Sequence, residues 1–515
     1  MNALQLKEWA QRPAIGTWPA LVLIAAGMQT LILQPLAAAT LKNEITDGGI
    51  TSVVEKDLIL DKGVSPNGVN VSTSQGIVLL SGSVNNLLAR KRSVKIAESI
   101  RGVRGVIDHI AVTPVSRPDE AVRKDVLSAL LNDPATESYQ IGAVVADGIV
   151  TLTGSVGSMA ESRLAQQIAE GVKGVKDVRN DVRINYTAKR TDAEIAADIQ
   201  AVLQWDIWVA GYPIHVEVHE GHVALIGAVG SVVEKSRVDS DVWVNGVTAV
   251  DDSGLKVEPN ARGEFRRRSL FVNLKPEAIT RALRTSFRAD PRVARYADKI
   301  KITVENGVAI LDGAVENLKA KAAAEQDARD IVGVSWVDDV LSVRPTMNMP
   351  SDDEAQKGLR AALVWDPELD GTKIEAAVIN HVAYLDGTVD AYRQIAEARD
   401  IAERTKGVVE VRNHLKMVSE PEYFFYNQPY YDFAVFGPPP PKSDALIKKD
   451  IEREFFWSPF VHRNDITVRV DGGVAMLSGK VGSWMGYEEA YRDALKGGAS
   501  TVIVKNLHVA KGAWF

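Results

Sequence analysis

The chain has 515 residues, of which 46% are hydrophobic and 25% are charged, as is typical of globular domains in water. This length exceeds what one hydrophobic core usually supports, so several domains are expected. The formal net charge of -7 argues against nucleic-acid binding, and the absence of cysteine excludes disulfides, thiol catalysis and thiolate metal sites.

The first 39 residues have the pattern of an export signal. Lys7 and Arg12 precede a mostly apolar run at 14–36, and the small residues at 37–39 offer a cleavage site. The run also approaches the length that spans a bilayer, so a retained signal anchor is the alternative to a cleaved signal peptide. Both interpretations place the rest of the chain in the periplasm or cell envelope, because basic residues favour a cytoplasmic N-terminus. A buried helix of a cytoplasmic protein is the third interpretation.

A glycine-centred pattern, Leu-x-Gly-x-Val, recurs six times with Gly-to-Gly spacings of 72, 73, 86, 74 and 92 residues. This nearly constant period predicts tandem copies of one folding unit. We expect these glycines to be structural, with an unusual φ or a close backbone approach. They are Gly82, Gly154, Gly227, Gly313, Gly387 and Gly479.

Each repeat predicts a β-hairpin between two amphipathic helices, followed by a third strand. A dipeptide such as Asp147 and Gly148 suits a two-residue turn in which both residues have positive φ. The alternation of apolar residues then places Val218 opposite Val223. The predicted fold class is α/β (α+β), with tandem αββαβ modules, each a three-stranded mixed sheet with two helices on one face.

The predicted domain map follows from this repeat. In chain order it comprises a signal peptide or anchor at 1–39, modules at 45–115, 116–187 and 190–257, a basic insertion at 258–274, modules at 275–345 and 350–419, an aromatic and proline-rich insertion at 420–442, and a module at 443–511. The second face of several predicted sheets is apolar, for example at Ile77 and Leu79. This predicts that adjacent modules cover some of these faces.

The repeat resembles the BON domain, found in osmotically induced periplasmic proteins and in some secretins and channels. The resemblance rests on Gly-x-Val-x-Leu-x-Gly-x-Val at 148–156 and on the Gly-Val-Lys-Gly-Val ending at 171–175, and it covers about residues 45–510 apart from the two insertions. It implies a non-enzymatic envelope protein without a cofactor, whose partner is anionic phospholipid or another envelope component. The motifs of serine hydrolases, phosphate loops and zinc proteases are absent from the sequence.

Two segments interrupt the repeat and are candidate contacts for lipid or a partner. Clustered arginine near aromatic residues suits an anionic membrane surface, although a solvated linker is an equal alternative. The aromatic segment packs either on a neighbouring module or on a membrane or partner. The candidate residues are Arg262, Arg266, Arg267, Arg268, Tyr423, Phe424, Phe425, Tyr426, Tyr430, Tyr431 and Trp457.

One cluster has the composition of a metal site. His215, Glu217 and His219 alternate along a predicted strand and face away from the core, and His222 lies across the turn. Imidazole and carboxylate groups bind divalent metal ions such as Zn²⁺. A solvated polar sheet face is the alternative.

The sequence therefore predicts a stress-related, non-enzymatic scaffold of the cell envelope that docks onto anionic phospholipid or envelope proteins. The first alternative is a self-associating structural or chaperone-like periplasmic protein without lipid affinity. The second alternative is a weak divalent-metal binder.

Overall fold

The computed structural model describes residues 45–61, 64, 68–136, 139–186, 189–259, 261, 274–344, 349–390, 392–417 and 442–509. The predicted N-terminal signal and most of both predicted insertions lie outside these residues. The longest described helices have 14 residues, and no described helix has both the length and the apolar character to span a membrane.

Six modules follow one another along the chain, each with the order helix, strand, strand, helix, strand. Module 1 contains α1 (Asp47–Leu60), β1 (Val69–Ser74), β2 (Ile77–Val84), α2 (Leu87–Glu98) and β3 (Gly105–Val112). Module 2 contains α3 (Asp119–Asn132), β4 (Gln140–Ala146), β5 (Ile149–Val156), α4 (Met159–Glu170) and β6 (Asp177–Ile184). Module 3 contains α5 (Asp192–Trp205), β7 (Ile214–His219), β8 (His222–Val229), α6 (Val232–Asp241) and β9 (Ala249–Val257).

The later three modules repeat this order, with the third strand interrupted in modules 4 and 5 and the second strand also interrupted in module 4. Module 4 contains α7 (Pro276–Ala289), β10 (Lys301–Glu305), β11 (Val308–Asp312), β12 (Ala314–Val315), α8 (Leu318–Arg329), β13 (Trp336–Asp339) and β14 (Ser342–Val343); module 5 contains α9 (Asp352–Trp365), β15 (Lys373–Ile379), β16 (Val382–Val389), α10 (Tyr392–Arg404), β17 (Glu410–Asn413) and β18 (Lys416–Met417); module 6 contains α11 (Asp444–Trp457), β19 (Ile466–Asp471), β20 (Val474–Val481), α12 (Trp484–Lys496) and β21 (Thr501–Val509).

The sheets confirm the predicted fold class. In each module the two hairpin strands are antiparallel, and the third strand pairs in parallel with the second, which is therefore central. Val218 lies opposite Val223, as the alternation predicts. The turn residues have the predicted left-handed conformation, with φ of 53° at Asp147 and 77° at Gly148. In module 5 the second turn position is His381, whose φ is 63°.

The repeated glycines satisfy both structural expectations. Gly387 has a φ of 129°, and a Cβ built on it would lie 1.9 Å from the carbonyl oxygen of Lys373 on the neighbouring chain segment. Gly313 has a φ of 137°, but the corresponding oxygen, on Lys299, is 3.3 Å away. The glycine therefore allows the hairpin to close tightly in module 5, with more room in module 4.

Each core lies between the helices and one sheet face. In module 2, Val126 of the first helix and Ala165 of the second enclose Val150 and Leu152 of the central strand, and all four are fully buried. The residues that alternate with Val150 and Leu152 along this strand point to the other sheet face, as expected for a half-buried strand. The helical layer and the outer sheet face are thus the two surfaces that each module can offer.

The modules are not independent beads. Buried residues of modules 1 and 3 form one continuous hydrophobic cluster, which includes Leu80 and Ile100 from module 1 and Ile199 and Leu225 from module 3. Leu87 of module 1 also belongs to the core of module 2. Neighbouring modules therefore share apolar surface that an isolated copy would expose.

Candidate binding surfaces and cavities

The first helices join modules in pairs. The carbonyl oxygens of Trp205, Trp365 and Trp457, each at the end of a first helix, accept hydrogen bonds from backbone N–H groups of another module at 2.8 Å. The donors are Val332, Lys173 and Arg101, respectively. These bonds pair module 3 with module 4, module 5 with module 2, and module 6 with module 1.

The second helices join modules by charged contacts. Lys91 of module 1 pairs with Glu170 of module 2, and Arg163 of module 2 lies 2.9 Å from Asp239 of module 3. Module 4 contacts modules 5 and 6 in the same way, through Lys319 with Asp400 and Arg329 with Glu488. The helical layer is thus occupied by contacts between modules.

A more deeply buried charge cluster joins modules 1 and 5. Glu368 of module 5 pairs with Arg92 of module 1 and with Arg393 of its own module. Arg393 also lies 3.5 Å from Asp61 of module 1. Breaking a buried pair of this kind is costly because it leaves an uncompensated charge inside the protein.

The outer sheet faces are mostly exposed, and the expectation that adjacent modules cover some of them holds in module 4, where Trp484 of module 6 packs against Trp336. Ile77 and Leu79 are half-buried rather than enclosed, because the modules meet through their helices. Every one of the six modules carries a large exposed apolar side chain on the outer face of its sheet. These residues, with their exposed fractions, are Ile107 (46%), Val144 (61%), Ile226 (48%), Trp336 (55%), Ile379 (55%) and Ile503 (45%).

The outer faces carry both apolar and polar side chains, and most of the exposed apolar residues lie on the outer strands of the sheets. In module 5, Val382 and Tyr384 occupy the central strand, and the guanidinium of Arg412 on the third strand lies 5.5 Å from the ring centre of Tyr384. In module 4, Trp336 lies 5.4 Å from Trp484 of module 6. A surface on which exposed apolar and basic side chains lie together can bind another surface.

The predicted histidine cluster lies on one of these faces. His215, Glu217, His219 and His222 are all exposed, and His219 is the register partner of His222. The Nε2 atom of His215 lies 3.2 Å from Oε1 of Glu217. Over the described ranges, however, no group of three or more acidic or histidine side chains is placed to hold a metal ion. The shared face is as predicted, and the structure does not support convergence on a metal.

Most of the predicted lipid-contact residues lie outside the described residues. This applies to Arg262, Arg266, Arg267, Arg268, Tyr423, Phe424, Phe425, Tyr426, Tyr430 and Tyr431. Trp457 is described: its ring packs on Gly49 of module 1 and edge-on against Phe456, 5.1 Å away. The contact between modules 1 and 6 accounts for this tryptophan without an external ligand.

Two cavities lie between modules. One, of about 590 Å³, is lined by second-helix residues of modules 1, 2 and 3, including Lys91, Arg163 and Asp239. The other, of about 420 Å³, lies between modules 2 and 5 and is lined by Asp133, Trp365 and Asp366 together with small apolar residues.

The sequence reasoning missed the buried acids at the ends of the first helices. Asp133, Asp206 and Asp366 each directly follow a first helix and are between 3% and 7% exposed. Burial raises the pKa of the Asp366 carboxyl to about 8, with the charges of Glu397 and Glu368 adding to the effect. The signal was present, since an aspartate recurs at this position in five of the six described modules.

Comparison with known protein families decides the relationship. The model of the BON domain matches residues 46–114, 118–186, 191–259, 276–345, 351–419 and 443–511. The chain belongs to the BON domain family. It is 32% identical over 148 residues to Osmotically-inducible protein Y of Escherichia coli (strain K12), a match that covers 27% of this chain and 74% of that protein.

Other relatives of this BON domain chain are more distant. An uncharacterized protein in the gshII 5′ region of Anaplasma centrale is 26% identical over 152 residues, which cover 28% of this chain and 99% of that protein. Two structures of CdsD, a structural protein of the type III secretion system of Chlamydia trachomatis, are 17% and 16% identical. They cover 39% and 42% of this chain and 90% and 100% of the solved chains, both with a TM-score of 0.12. Such TM-scores support no structural conclusion.

Proposed function

We propose that this BON domain protein is a non-enzymatic, stress-related protein of the periplasm or cell envelope that docks onto anionic phospholipid through its outer sheet faces. The named relative is osmotically inducible, which supports a role in stress. The N-terminal 39 residues have the composition of an export signal, which supports the location.

The proposal rests on which surfaces the modules use to contact one another and which surfaces they leave exposed. Modules meet mainly through their helices, and each of the six modules presents an exposed apolar residue on the outer face of its sheet. Exposed apolar side chains with polar neighbours are typical of a docking surface. Several weak faces on one chain can bind strongly together, because after the first contact the others act at high effective concentration.

The charge of the protein favours membrane binding through local basic groups rather than through attraction of the whole molecule. The net charge of -7 repels an anionic membrane as a whole, so binding requires local basic groups near the exposed apolar side chains. Arg179 and Arg183 on module 2, Arg412 on module 5 and Arg469 on module 6 lie on outer faces. We propose the predicted residues of the two insertions, including Arg266 and Tyr423, as further contacts.

Vesicle sedimentation tests the proposal. We expect the full chain to sediment with vesicles that contain phosphatidylglycerol and not with pure phosphatidylcholine vesicles. The triple variant Ile107→Ser, Ile379→Ser, Ile503→Ser should bind at least about ten-fold more weakly, since it removes apolar contact from three faces. The matched control is Leu131→Ser, Val364→Ser, Leu446→Ser, which changes three residues that are equally exposed but lie on helices.

The outcomes separate the rival functions. Absence of binding to anionic vesicles, or equal loss in the two triple variants, would overturn docking through the sheets. A defined oligomer that dissociates only in the sheet variant would instead favour the self-associating protein. Deletion of 262–271 and 423–436 tests the insertions separately, and binding that survives both deletions rules them out as contacts.

A further inference from the structure

The cavity between modules 2 and 5 has a mainly apolar wall. It measures about 420 Å³ and is enclosed by the first helix of module 2, the first helix of module 5 and the ends of their second helices. The apolar part of its wall includes Ala129, Ile168, Ala355, Ala362 and the aromatic residue Trp365. A cavity of this size and composition accommodates a small organic molecule.

Two buried acidic side chains, one from each module, are among the polar residues that line this cavity. Asp133 and Asp366 are 7% and 3% exposed. Each uses Oδ1 to accept backbone hydrogen bonds, from Ala135 at 2.8 Å and from Glu368 at 2.8 Å. Among the described residues, neither Oδ2 atom has a hydrogen-bond partner. Burial raises the pKa of both carboxyls, and the attraction of the nearby Arg404 guanidinium only partly offsets this effect.

The same position in other modules shows what is missing here. Asp206 lies 2.6 Å from Arg237, Asp290 pairs with Arg292, and Asp61 lies 3.5 Å from Arg393. Within the described ranges, no basic side chain comes within 4.0 Å of Asp133 or Asp366. The two first-helix aspartates that lack an arginine partner are those that line the cavity.

The basic groups near the cavity are engaged elsewhere. Arg404 lines the wall, but its ion pairs are with Glu397 at 3.8 Å and Asp400 at 4.0 Å. Glu354, also in the wall, accepts hydrogen bonds from Ser351. Lys406 lines the wall as well and has interactions of its own. Arg404 attracts both carboxyls through space but forms an ion pair with neither, so Asp133 and Asp366 can still pair directly with an incoming cation.

The contact between modules 2 and 5 leaves empty space between its helices, whereas the comparable contact between modules 1 and 6 is filled by a side chain. A Cβ on Gly358, in the first helix of module 5, would meet no atom within 4 Å. At the contact between modules 1 and 6, a Cβ on Gly49 would lie 2.9 Å from the Trp457 ring. Close packing is the rule in protein interiors, so a cavity of this size between paired helices indicates room for a ligand.

We propose that this cavity binds a small organic ammonium ion, whose charge pairs with Asp133 and Asp366 and whose hydrocarbon part packs against Trp365 and the alanine wall. The facing aromatic ring adds attraction for a cation. Because each module contributes one carboxyl, a short diamine, which carries two ammonium groups, suits the site better than a monoamine. The site is independent of the outer sheet faces.

Calorimetry on the full chain tests the site with defined probes: 1,4-diaminobutane, butylamine and 1,4-butanediol. The titration is done at mildly alkaline pH, at which the carboxyls ionise while the amines stay protonated. We expect saturable binding of one diaminobutane per chain, weaker binding of butylamine and no binding of the diol. Equal binding of the diol, or no binding of either amine, would overturn the proposal.

Two independent variants locate the binding. Asp133→Asn with Asp366→Asn removes the charge, and Gly358→Met fills the cavity; each should weaken diaminobutane binding at least ten-fold. The matched controls are Asp353→Asn, an exposed acid on the same helix, and Gly48→Met, an exposed helical glycine whose added Cβ would also meet no atom within 4 Å. Binding that persists in both cavity variants would show that the amine binds elsewhere.

Discussion

At the residue scale, one aspartate connects the first helix to the hairpin turn of its module. In module 5, Asp352 is the first helical residue, and its two oxygens accept the backbone N–H groups of Asn380 and His381 at 2.7 and 2.9 Å. The same pair of bonds occurs in four other modules, and Pro276 takes this position in module 4. The equivalent residues are Asp47, Asp119, Asp192 and Asp444.

This bond predicts an acid-sensitive contribution to stability. The backbone N–H groups of His381 and Asn380 lower the pKa of Asp352 below its usual value. The folded state therefore favours the ionised form, so the contribution is complete near neutral pH and is lost as the pH falls below about 4. Thermal unfolding should show that Asp352→Asn lowers the midpoint at pH 7 and has little effect at pH 3. Asp353→Asn is the control, and an equal effect of both variants would contradict the assignment.

The repeated glycines give a second residue-scale prediction. Gly387→Ala places a methyl group 1.9 Å from a carbonyl oxygen at a φ of 129°, and it should lower the free energy of unfolding by about 3 kcal/mol or more. In Gly313→Ala the new Cβ would lie 3.3 Å from the Lys299 carbonyl oxygen, a close contact that a small shift relieves, so the strain of its φ, about 1–2 kcal/mol, should dominate. Denaturant titration of the two variants measures the difference. Equal losses would show that φ, rather than the close approach, makes glycine necessary.

At the element scale, a tryptophan at the end of one first helix marks each pair of modules. Trp457, Trp205 and Trp365 occur in modules 6, 3 and 5, whereas the corresponding last helical residues of their partners are Leu60, Ala289 and Asn132. Each contact therefore has one large ring between two helices, since two rings in the same place would clash. This asymmetry favours pairing between different modules.

Removing one ring should loosen one contact. Trp457 is half-buried, so Trp457→Ala should cost about 2 kcal/mol, less than the roughly 3–5 kcal/mol of a fully buried ring. Because the amide of Arg101 donates to the Trp457 carbonyl, its hydrogen exchange should accelerate. Leu446→Ala, at an exposed site on the same helix, should leave this amide protected. Unchanged exchange in the tryptophan variant would mean that the ring does not hold the contact.

At the scale of the whole molecule, the contacts between modules contain more acid than base. Burial raises the pKa of a series of carboxyls at these contacts or beside them. They are Asp133, Asp241, Asp327, Asp330, Asp366, Glu397, Glu454 and Asp493. Assembly of the modules therefore favours the protonated form of these carboxyls more than the unfolded chain does.

These carboxyls predict that stability falls as the pH rises. An acid whose folded pKa is raised binds its proton more tightly in the folded state, so folding is favoured below that pKa and loses this advantage above it. With Asp366 near 8 and an unfolded value near 4, the thermal midpoint should decline between about pH 4 and pH 8. Asp366→Asn should flatten this decline, and Asp353→Asn should not. A midpoint that rises across this range would contradict the prediction.

The repeat, the order of elements and the hairpin register were predictable because they depend on local signals. Positive φ at Gly148, the alternation around Val223 and the capping boxes at Thr191 and Ser351 each involve residues close in sequence. The connection from Asp352 to its turn spans 28 residues at a fixed spacing, so it was also readable from the sequence.

The arrangement of the modules required the tertiary structure. The apolar residues of the outer faces were visible in the sequence, but nothing local showed whether another module covered Ile77 or Trp336. Likewise, Asp206 and Asp366 follow their helices in the same way, and only the fold shows that Arg237 neutralises one while the other faces a cavity.

The sequence by itself determined the module, its strand order and its membership of a tandem array, because backbone conformation and hydrophobic alternation act over a few residues. Only the tertiary structure decided which modules pair, which acidic side chains are buried away from water and which sheet faces remain exposed. Those properties depend on contacts between residues hundreds of positions apart, such as Lys56 with Glu454, whose energies no short segment contains.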